Sequence, residues 1–183
     1  LVNLYLVWSL SFLNFLSREE VHASFSNVVN FKHRLQGSEY ATNVAGIFVM
    51  TLGFDLSPDP GVFYGRTFKA FVMAFMPCLC FVLTHLRFDY SKWISLWCAL
   101  AVGLVPGLYV YYGIGFEIGF EVIFGLVALI LAGSPRLWVV GVAGALLMFS
   151  ALCYAPGVAF GPAVAWYVFR HPDWRRRCLV SSL

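Results

Sequence analysis

Apolar runs without charge alternate along the chain with short polar segments that hold most of its ionisable residues. Charged side chains are expensive in hydrocarbon, so apolar runs of about 20 residues predict membrane-spanning helices. This pattern predicts an all-α, polytopic membrane helix bundle with about six transmembrane helices over residues 40–170. The predicted spans are 40–54, 66–86, 93–116, a fourth from near Ile114 to Gly133, and two short spans within 137–169.

Proline and glycine indicate where these runs turn. The 33 charge-free residues of 137–169 are too many for one helix, and Pro156-Gly157 predicts a tight turn inside them. The segments FDLSPDPG (54–61) and RFDYSK (87–92) are polar and predict connectors at a water interface. Pro106-Gly107 predicts a kink in the third span.

The two ends of the chain are expected to lie outside the bundle. Residues 1–39 form an amino-terminal segment that starts apolar and becomes polar from Ser17. Its apolar part is short for a span and lacks the basic flank of a signal peptide, so it predicts an interfacial helix or the end of a longer apolar segment. Residues 171–183 form a basic tail on the inner side.

Basic residues favour the inner side of a membrane, and their positions orient the predicted bundle. An N-in, C-in arrangement places Arg87, Lys92, Arg136 and the basic tail inside, with the acidic 54–61 loop outside. Arg66 and Lys69 then fall on the outer side. Their long side chains are expected to reach water from the end of the second span by snorkelling.

Composition excludes several classes of protein. Hydrophobic residues make up 61% of the chain and charged residues 11%, with a mean hydropathy of +0.80. Soluble domains carry about 25% charged residues, so this chain cannot cover itself with a polar surface. The excess of 12 basic over 9 acidic residues is too small to predict nucleic-acid binding.

The chain shows no motif typical of an enzyme. It lacks a phosphate-binding glycine loop, a nucleophile elbow and an acidic metal cluster, so neither catalytic residues nor a metal site are predicted. The five cysteines are odd in number and form no C-x-x-C pair, which argues against a disulfide framework and a zinc site. They are interpreted as small apolar residues.

Glu117 and Glu121 are the main candidate functional residues. Four positions apart on a helix, they would share one face about one turn apart. Carboxylates within a membrane span are functional candidates by default, and they are expected to face protein or water and to bind a partner or carry protons. The alternative is that Glu117 is hydrated at the outer interface.

His85 and Tyr90 suggest a different chemistry at the inner end of the second span. An imidazole there is a candidate haem ligand, with a second ligand from another subunit, and Asp89-Tyr90 resembles the pair that faces quinone in succinate dehydrogenase anchors. An ordinary interfacial histidine is the alternative. No cofactor is expected unless the chain is such an electron-transfer subunit.

Several motifs resemble TatC, the multi-spanning subunit of the twin-arginine protein translocase. GIGFEIG (113–119) is similar to the G-x-x-F-E-x-P pattern of its fourth helix, and YAPG (154–157) to its T-P-P-D turn. FDLSPDPGVFYGRTFKAF (54–71) resembles the entry to its second helix, and NFKHRL (30–35) its amino-terminal helix. The chain has Gly119 and Gly157 where the family patterns have proline and aspartate.

The resemblance implies binding of twin-arginine signal peptides and cooperation with other membrane subunits, in a bacterial cytoplasmic or mitochondrial inner membrane. Carboxylates on the inner side would pair with the signal-peptide guanidinium groups. A structural or electron-transfer subunit of a respiratory complex and a small proton- or cation-coupled transporter are the alternatives. The implied partner-binding residues are Glu117, Glu121, Asp89, Glu19, Glu20 and Glu39.

Overall fold

The computed structural model describes residues 45–46, 48–49, 62–105 and 119–181, with the backbone alone at 62–66. All regular structure in these ranges is helical, which confirms the predicted all-α class. The predicted amino-terminal segment and most of the predicted first span lie outside the described residues. The helices are α1 (Val62–Met73), α2 (Met76–Leu86), α3 (Lys92–Gly103), α4 (Phe120–Ala132), α5 (Leu137–Cys153), a 3-10 helix (Ala155–Phe160), α6 (Gly161–Phe169) and α7 (Trp174–Ser181).

Helices α1 and α2 form one bent apolar stretch. Residues Thr67–Leu86 are 20 in number and are long and apolar enough to cross a membrane, in agreement with the span predicted at 66–86. Pro77 lacks the N–H that would bond to the Met73 carbonyl, which interrupts the series of helical hydrogen bonds between α1 and α2. At the same place Phe75 N–H bonds to the Val72 carbonyl at 3.2 Å, in a tighter turn than that of an α-helix. The other apolar helices in the described ranges are 10–17 residues long when the 3-10 helix and α6 are counted as one stretch.

A tight turn joins α2 to α3, as the polar connector 87–92 predicts. Asp89 occupies the left-handed region with φ 56°, and Tyr90 N–H bonds back to the Thr84 carbonyl at 3.2 Å. Ser91 caps α3, since its hydroxyl accepts from Ile94 N–H at 3.4 Å. Helix α3 ends at Gly103, before the kink predicted at Pro106-Gly107. This end is consistent with the sequence, because Val105 precedes Pro106 and a residue before proline disfavours the helical conformation.

Helices α4 and α5 form the central antiparallel pair. The Phe124 and Phe149 rings pack edge to face with centroids 4.9 Å apart. The Ser150 hydroxyl donates to the Glu121 carbonyl at 2.6 Å, which joins the start of α4 to the end of α5. This pair supplies most of the buried side chains of the described core.

The predicted turn at Pro156-Gly157 is confirmed. Tyr154 is extended (φ −162°, ψ 139°), which ends α5, and Pro156 lies in the first turn of the 3-10 helix. Gly157 packs directly on the Ser150 backbone, where a Cβ atom would overlap it. The chain then reverses into α6, which has nine residues and a length of about 14 Å, well short of a bilayer core.

The basic tail folds back on α5. Gly141 and Gly144 pack against Val180 and Ser181 of α7, because the missing side chains let the two helices approach closely. Ala145, the residue after Gly144, is exposed. The partner of the glycines is the carboxyl-terminal helix and not another long span.

The core of the described helices is mainly hydrophobic, but it also encloses several polar residues, and many large apolar residues are exposed. Lys69, Ser95, Glu121, Ser150 and Arg177 are buried. Helix α3 exposes apolar side chains that recur at helical spacing along one face and continue just past its end. They are Trp93, Trp97, Leu100 and Leu104.

Candidate functional site

Glu121 lies in the first turn of α4 and is 5% exposed. Its carboxylate accepts a hydrogen bond from Gly119 N–H, one of the donors that the start of a helix leaves without an intrahelical partner. Negative charge is favourable at this end of a helix because the helix dipole is positive there. The carboxylate therefore faces protein, as expected from the sequence, and it stabilises the start of α4.

Gly119 shows why α4 begins where it does. Its φ of 109° lies in the left-handed region, which glycine adopts without the clash that a Cβ atom would cause. A proline ring fixes φ near −65°, so the proline of the TatC pattern cannot take this conformation. At this position the chain differs from that pattern in backbone conformation as well as in sequence.

The prediction that Glu117 and Glu121 share one helix face stays a prediction, because Glu117 lies outside the described residues. Helix α4 begins at Phe120, after the left-handed Gly119. Glu19, Glu20 and Glu39 also lie outside the described residues. Of the six acidic candidates, the structure places Glu121 and Asp89.

Lys69 is fully buried, which contradicts the prediction that it snorkels to the outer surface. It lies close enough to Glu121 for the two charges to interact. The rings of the adjacent Phe68 and Phe120 are 6.3 Å apart, which brings α1 against the start of α4. An opposite charge nearby offsets part of the desolvation cost of burying an ammonium group.

Arg87 stabilises the opposite end of α4. Its Nε donates to the Ile130 carbonyl at 2.6 Å and its Nη1 to the Gly133 carbonyl at 3.0 Å. These carbonyls lack intrahelical donors, and a cation at a helix carboxyl terminus also complements the helix dipole. Burial lowers the pKa of the Arg87 guanidinium from its usual value, but an arginine remains protonated at physiological pH.

A second arginine approaches the same helix end. Arg177 of α7 is 1% exposed, and its Nη1 donates to the Ala132 carbonyl at 3.5 Å. Its Nε has no hydrogen-bond partner among the described residues. Two cations from distant parts of the chain therefore converge on the carboxyl end of α4.

Next to this helix end is a cleft of about 500 Å³. Leu129 and Ala163 form its apolar side. Tyr167 lines the cleft and also donates from its hydroxyl to the Arg87 carbonyl at 3.3 Å, which holds α6 beside the α2–α3 turn. The other lining residues are Arg87, Phe88, Tyr90, Trp166 and Arg170.

The remaining predicted site residues lie beside this cleft. His85 Nδ1 lies 3.0 Å from the Tyr90 carbonyl, and since a carbonyl only accepts, Nδ1 carries the proton. Asp89 is exposed in the turn between them. The structure thus brings His85, Asp89 and Tyr90 together at the carboxyl end of α4, with Glu121 at the other end of that helix.

In the described part of the chain no cluster of three or more His, Cys, Asp or Glu residues is arranged to hold a metal ion.

The sequence analysis did not identify Arg87, Arg170 and Trp166 as site residues. A partial signal was present, because Arg87 follows a long apolar run directly and Gly133 ends another. Nothing in a single sequence shows that these two run ends meet in space.

Comparison of the chain with protein-family models, with characterised proteins and with solved structures found no match. The resemblance to TatC therefore rests on the motifs named above and stays a prediction.

Proposed function

We propose that this chain is an integral membrane protein, built as a bundle of about six transmembrane helices. The observation that carries the proposal is the distribution of polarity. Lys69 and Arg177 are 0% and 1% exposed, whereas Trp93 and Trp97 are 71% and 68% exposed. In water-soluble proteins lysine and arginine are rarely buried fully unless they are paired, and large exposed apolar patches are uncommon.

The arrangement of the basic residues supports an N-in, C-in orientation. Arg87 contacts the Gly133 carbonyl, three residues before Arg136, and shares a cleft with Arg170. Arginines from α2, α6 and the α4–α5 connection are therefore gathered at one end of the bundle. By the positive-inside bias this end faces the cytoplasm or, in a mitochondrion, the matrix.

Membrane insertion is tested by alkaline carbonate extraction of membranes that contain the full chain. We expect the protein to stay in the pellet, because only a peripheral protein is released when its charge contacts are broken. Release into the supernatant would contradict the proposal.

Within this class we propose a protein-translocase subunit of the TatC type, which recognises twin-arginine signal peptides together with other membrane subunits. Two observations support it: the short, unequal helices on either side of Pro156-Gly157, and the exposed Asp89 at the basic end of the bundle. An exposed carboxylate at that end is placed to accept a bidentate pair of hydrogen bonds from an incoming guanidinium group.

The test measures binding of a twin-arginine peptide to the purified protein. Asp89→Asn is expected to weaken binding about tenfold, because a charge-assisted pair is lost. Asp173→Asn, at a second exposed carboxylate in the turn before α7, is the matched control and should bind like the wild type. Equal binding of a twin-lysine peptide would contradict the translocase assignment.

A respiratory-complex subunit is the second candidate, and the His85 geometry favours it. With Nδ1–H bonded to the Tyr90 carbonyl, Nε2 is the nitrogen available to a metal, and such carbonyl bonds typically orient axial histidines. The test is a reduced-minus-oxidised visible spectrum of the protein with its co-purifying partners. A Soret band that His85→Ala removes and His171→Ala keeps would support this function over translocation.

A further inference from the structure

The lining of the cleft beside Arg87 has the chemistry of an anion site. Four of the residues that line it carry hydrogen-bond donors in their side chains: Arg87, Arg170, Tyr90 and Trp166. None of the described residues that line it carries a carboxylate, and the adjacent Asp89 is exposed in the α2–α3 turn. Because indole and guanidinium groups only donate hydrogen bonds, the cleft is suited to an oxygen-rich acceptor with negative charge.

Both arginines have donors to offer a ligand. Arg87 uses its Nε and one Nη1 bond for the Ile130 and Gly133 carbonyls, which leaves Nη2 and holds the guanidinium in a fixed orientation. Arg170 is exposed, and its side chain makes no hydrogen bond or ion pair with the described residues. Two guanidinium groups beside one cavity are the typical means of holding a phosphate.

The position of the cleft identifies the source of the phosphate. Arg87 immediately follows the Thr67–Leu86 stretch, so the cleft lies where the hydrocarbon of the proposed bilayer ends. Trp166 is largely exposed there and Tyr90 is about half exposed, as aromatic residues at a membrane interface are. Leu129 and Ala163 offer an apolar side for the first acyl carbons, and a volume of about 500 Å³ is within the usual range of ligand sites.

We infer that this cleft binds the phosphate of an anionic phospholipid headgroup from the inner leaflet. The inference rests on the proposed membrane insertion, and it adds a lipid site that neither the translocase nor the respiratory function requires. A bound lipid would join the α2–α3 turn to α6 and so couple the two halves of the basic end.

The experiment compares lipid retention by the purified full-length protein in detergent, measured by native mass spectrometry. We expect the wild type to retain phosphatidylglycerol in preference to zwitterionic phosphatidylcholine. Arg170→Gln should reduce phosphatidylglycerol retention about tenfold, since one charge-assisted interaction is lost. Arg170 is exposed and its side chain bonds to no described residue, so the substitution should leave the circular dichroism spectrum unchanged.

Arg175→Gln is the matched control, because Arg175 is also an exposed arginine near this end but lies over the Trp174 ring, 5.5 Å from its centroid, and not in the cleft. It should retain phosphatidylglycerol like the wild type. Equal loss in both variants, or no preference for phosphatidylglycerol in the wild type, would overturn the inference.

Competition with inorganic phosphate distinguishes a lipid ligand from a soluble phosphate ligand. At millimolar concentration it should not displace phosphatidylglycerol, because it has no acyl chain to contact the apolar side of the cleft. Displacement that depends on Arg170 would show that the cleft takes a free phosphate compound, and the lipid assignment would fail. Carbonate extraction reports membrane insertion independently of all these outcomes.

Discussion

Individual charged residues in this protein act on helix ends. Glu121 bonds to Gly119 N–H at the start of α4, and Arg87 bonds to two carbonyls at its end. Both positions complement the helix dipole and satisfy backbone groups that would otherwise be buried without partners. These contacts replace part of the solvation that the ends of a surface helix receive from water.

Gly133→Ala tests the contact between Arg87 and the end of α4. A Cβ atom at Gly133 would lie 2.8 Å from Arg87 Cζ, so the guanidinium must move and weaken its hydrogen bonds. We expect the free energy of unfolding to fall by about 1–2 kcal/mol, measured by denaturation in mixed micelles. Gly161→Ala is the control, because a Cβ atom there meets nothing within 4 Å. Equal stability of the two variants would show that the Arg87 contact contributes nothing.

Glu121 offers a test of charge at the start of α4. Glu121→Gln keeps an acceptor for Gly119 N–H and should cost about 1 kcal/mol of the free energy of unfolding. Glu121→Lys places a second cation near the buried Lys69 and against the helix dipole, so it should prevent recovery of folded protein. The measurement is the monodisperse fraction in size-exclusion chromatography. Normal recovery of the lysine variant would mean that this carboxylate is not a structural group.

At the scale of elements, the short helices depend on one another for their positions. Helix α5 ends at Cys153, and the 3-10 helix places Phe160 on Gly125 in the middle of α4. Tyr167 then contacts Arg87. One aromatic residue thus makes a contact near each end of α6: Phe160 before its start and Tyr167 near its end. Phe160 fits against α4 because Gly125 has no side chain there.

Gly125→Ala tests this packing. The new methyl group would overlap the Phe160 ring, and overpacking of this kind costs about 1–3 kcal/mol of stability. Phe160→Ala should also destabilise the fold, but the double variant should recover part of the loss from Gly125→Ala because the overlap is gone. A double-mutant cycle in mixed micelles measures this coupling. Strictly additive effects would place Phe160 away from Gly125.

At the scale of the whole molecule, the proposed N-in, C-in bundle predicts which segments lie on each side of the membrane. A cysteine at Ser57 in the acidic loop and one at Arg175 in the tail, each introduced without the native cysteines, should be labelled from opposite sides of the membrane. The measurement is reaction with a membrane-impermeant maleimide in sealed vesicles of known orientation. Labelling of both positions from the same side is incompatible with the N-in, C-in bundle.

The local chemistry of the chain by itself determined the helical class, the apolar stretch at 66–86, the turn at 87–92 and the break at Pro156-Gly157. Each of these depends on properties that neighbouring residues carry: the solvation of charge, the missing N–H of proline and the freedom of glycine. These features can therefore be predicted from the sequence without knowledge of which helices are in contact.

Only the tertiary structure decided what the charged residues do. Lys69 and Arg177 are buried because an acidic side chain and a helix carboxyl terminus from elsewhere in the chain lie beside them. Glu121 lies at a helix start because Gly119 takes a left-handed conformation. The cleft between Arg87 and Arg170 exists because α6 folds back beside the α2–α3 turn, and contacts between residues so far apart in sequence leave no local pattern.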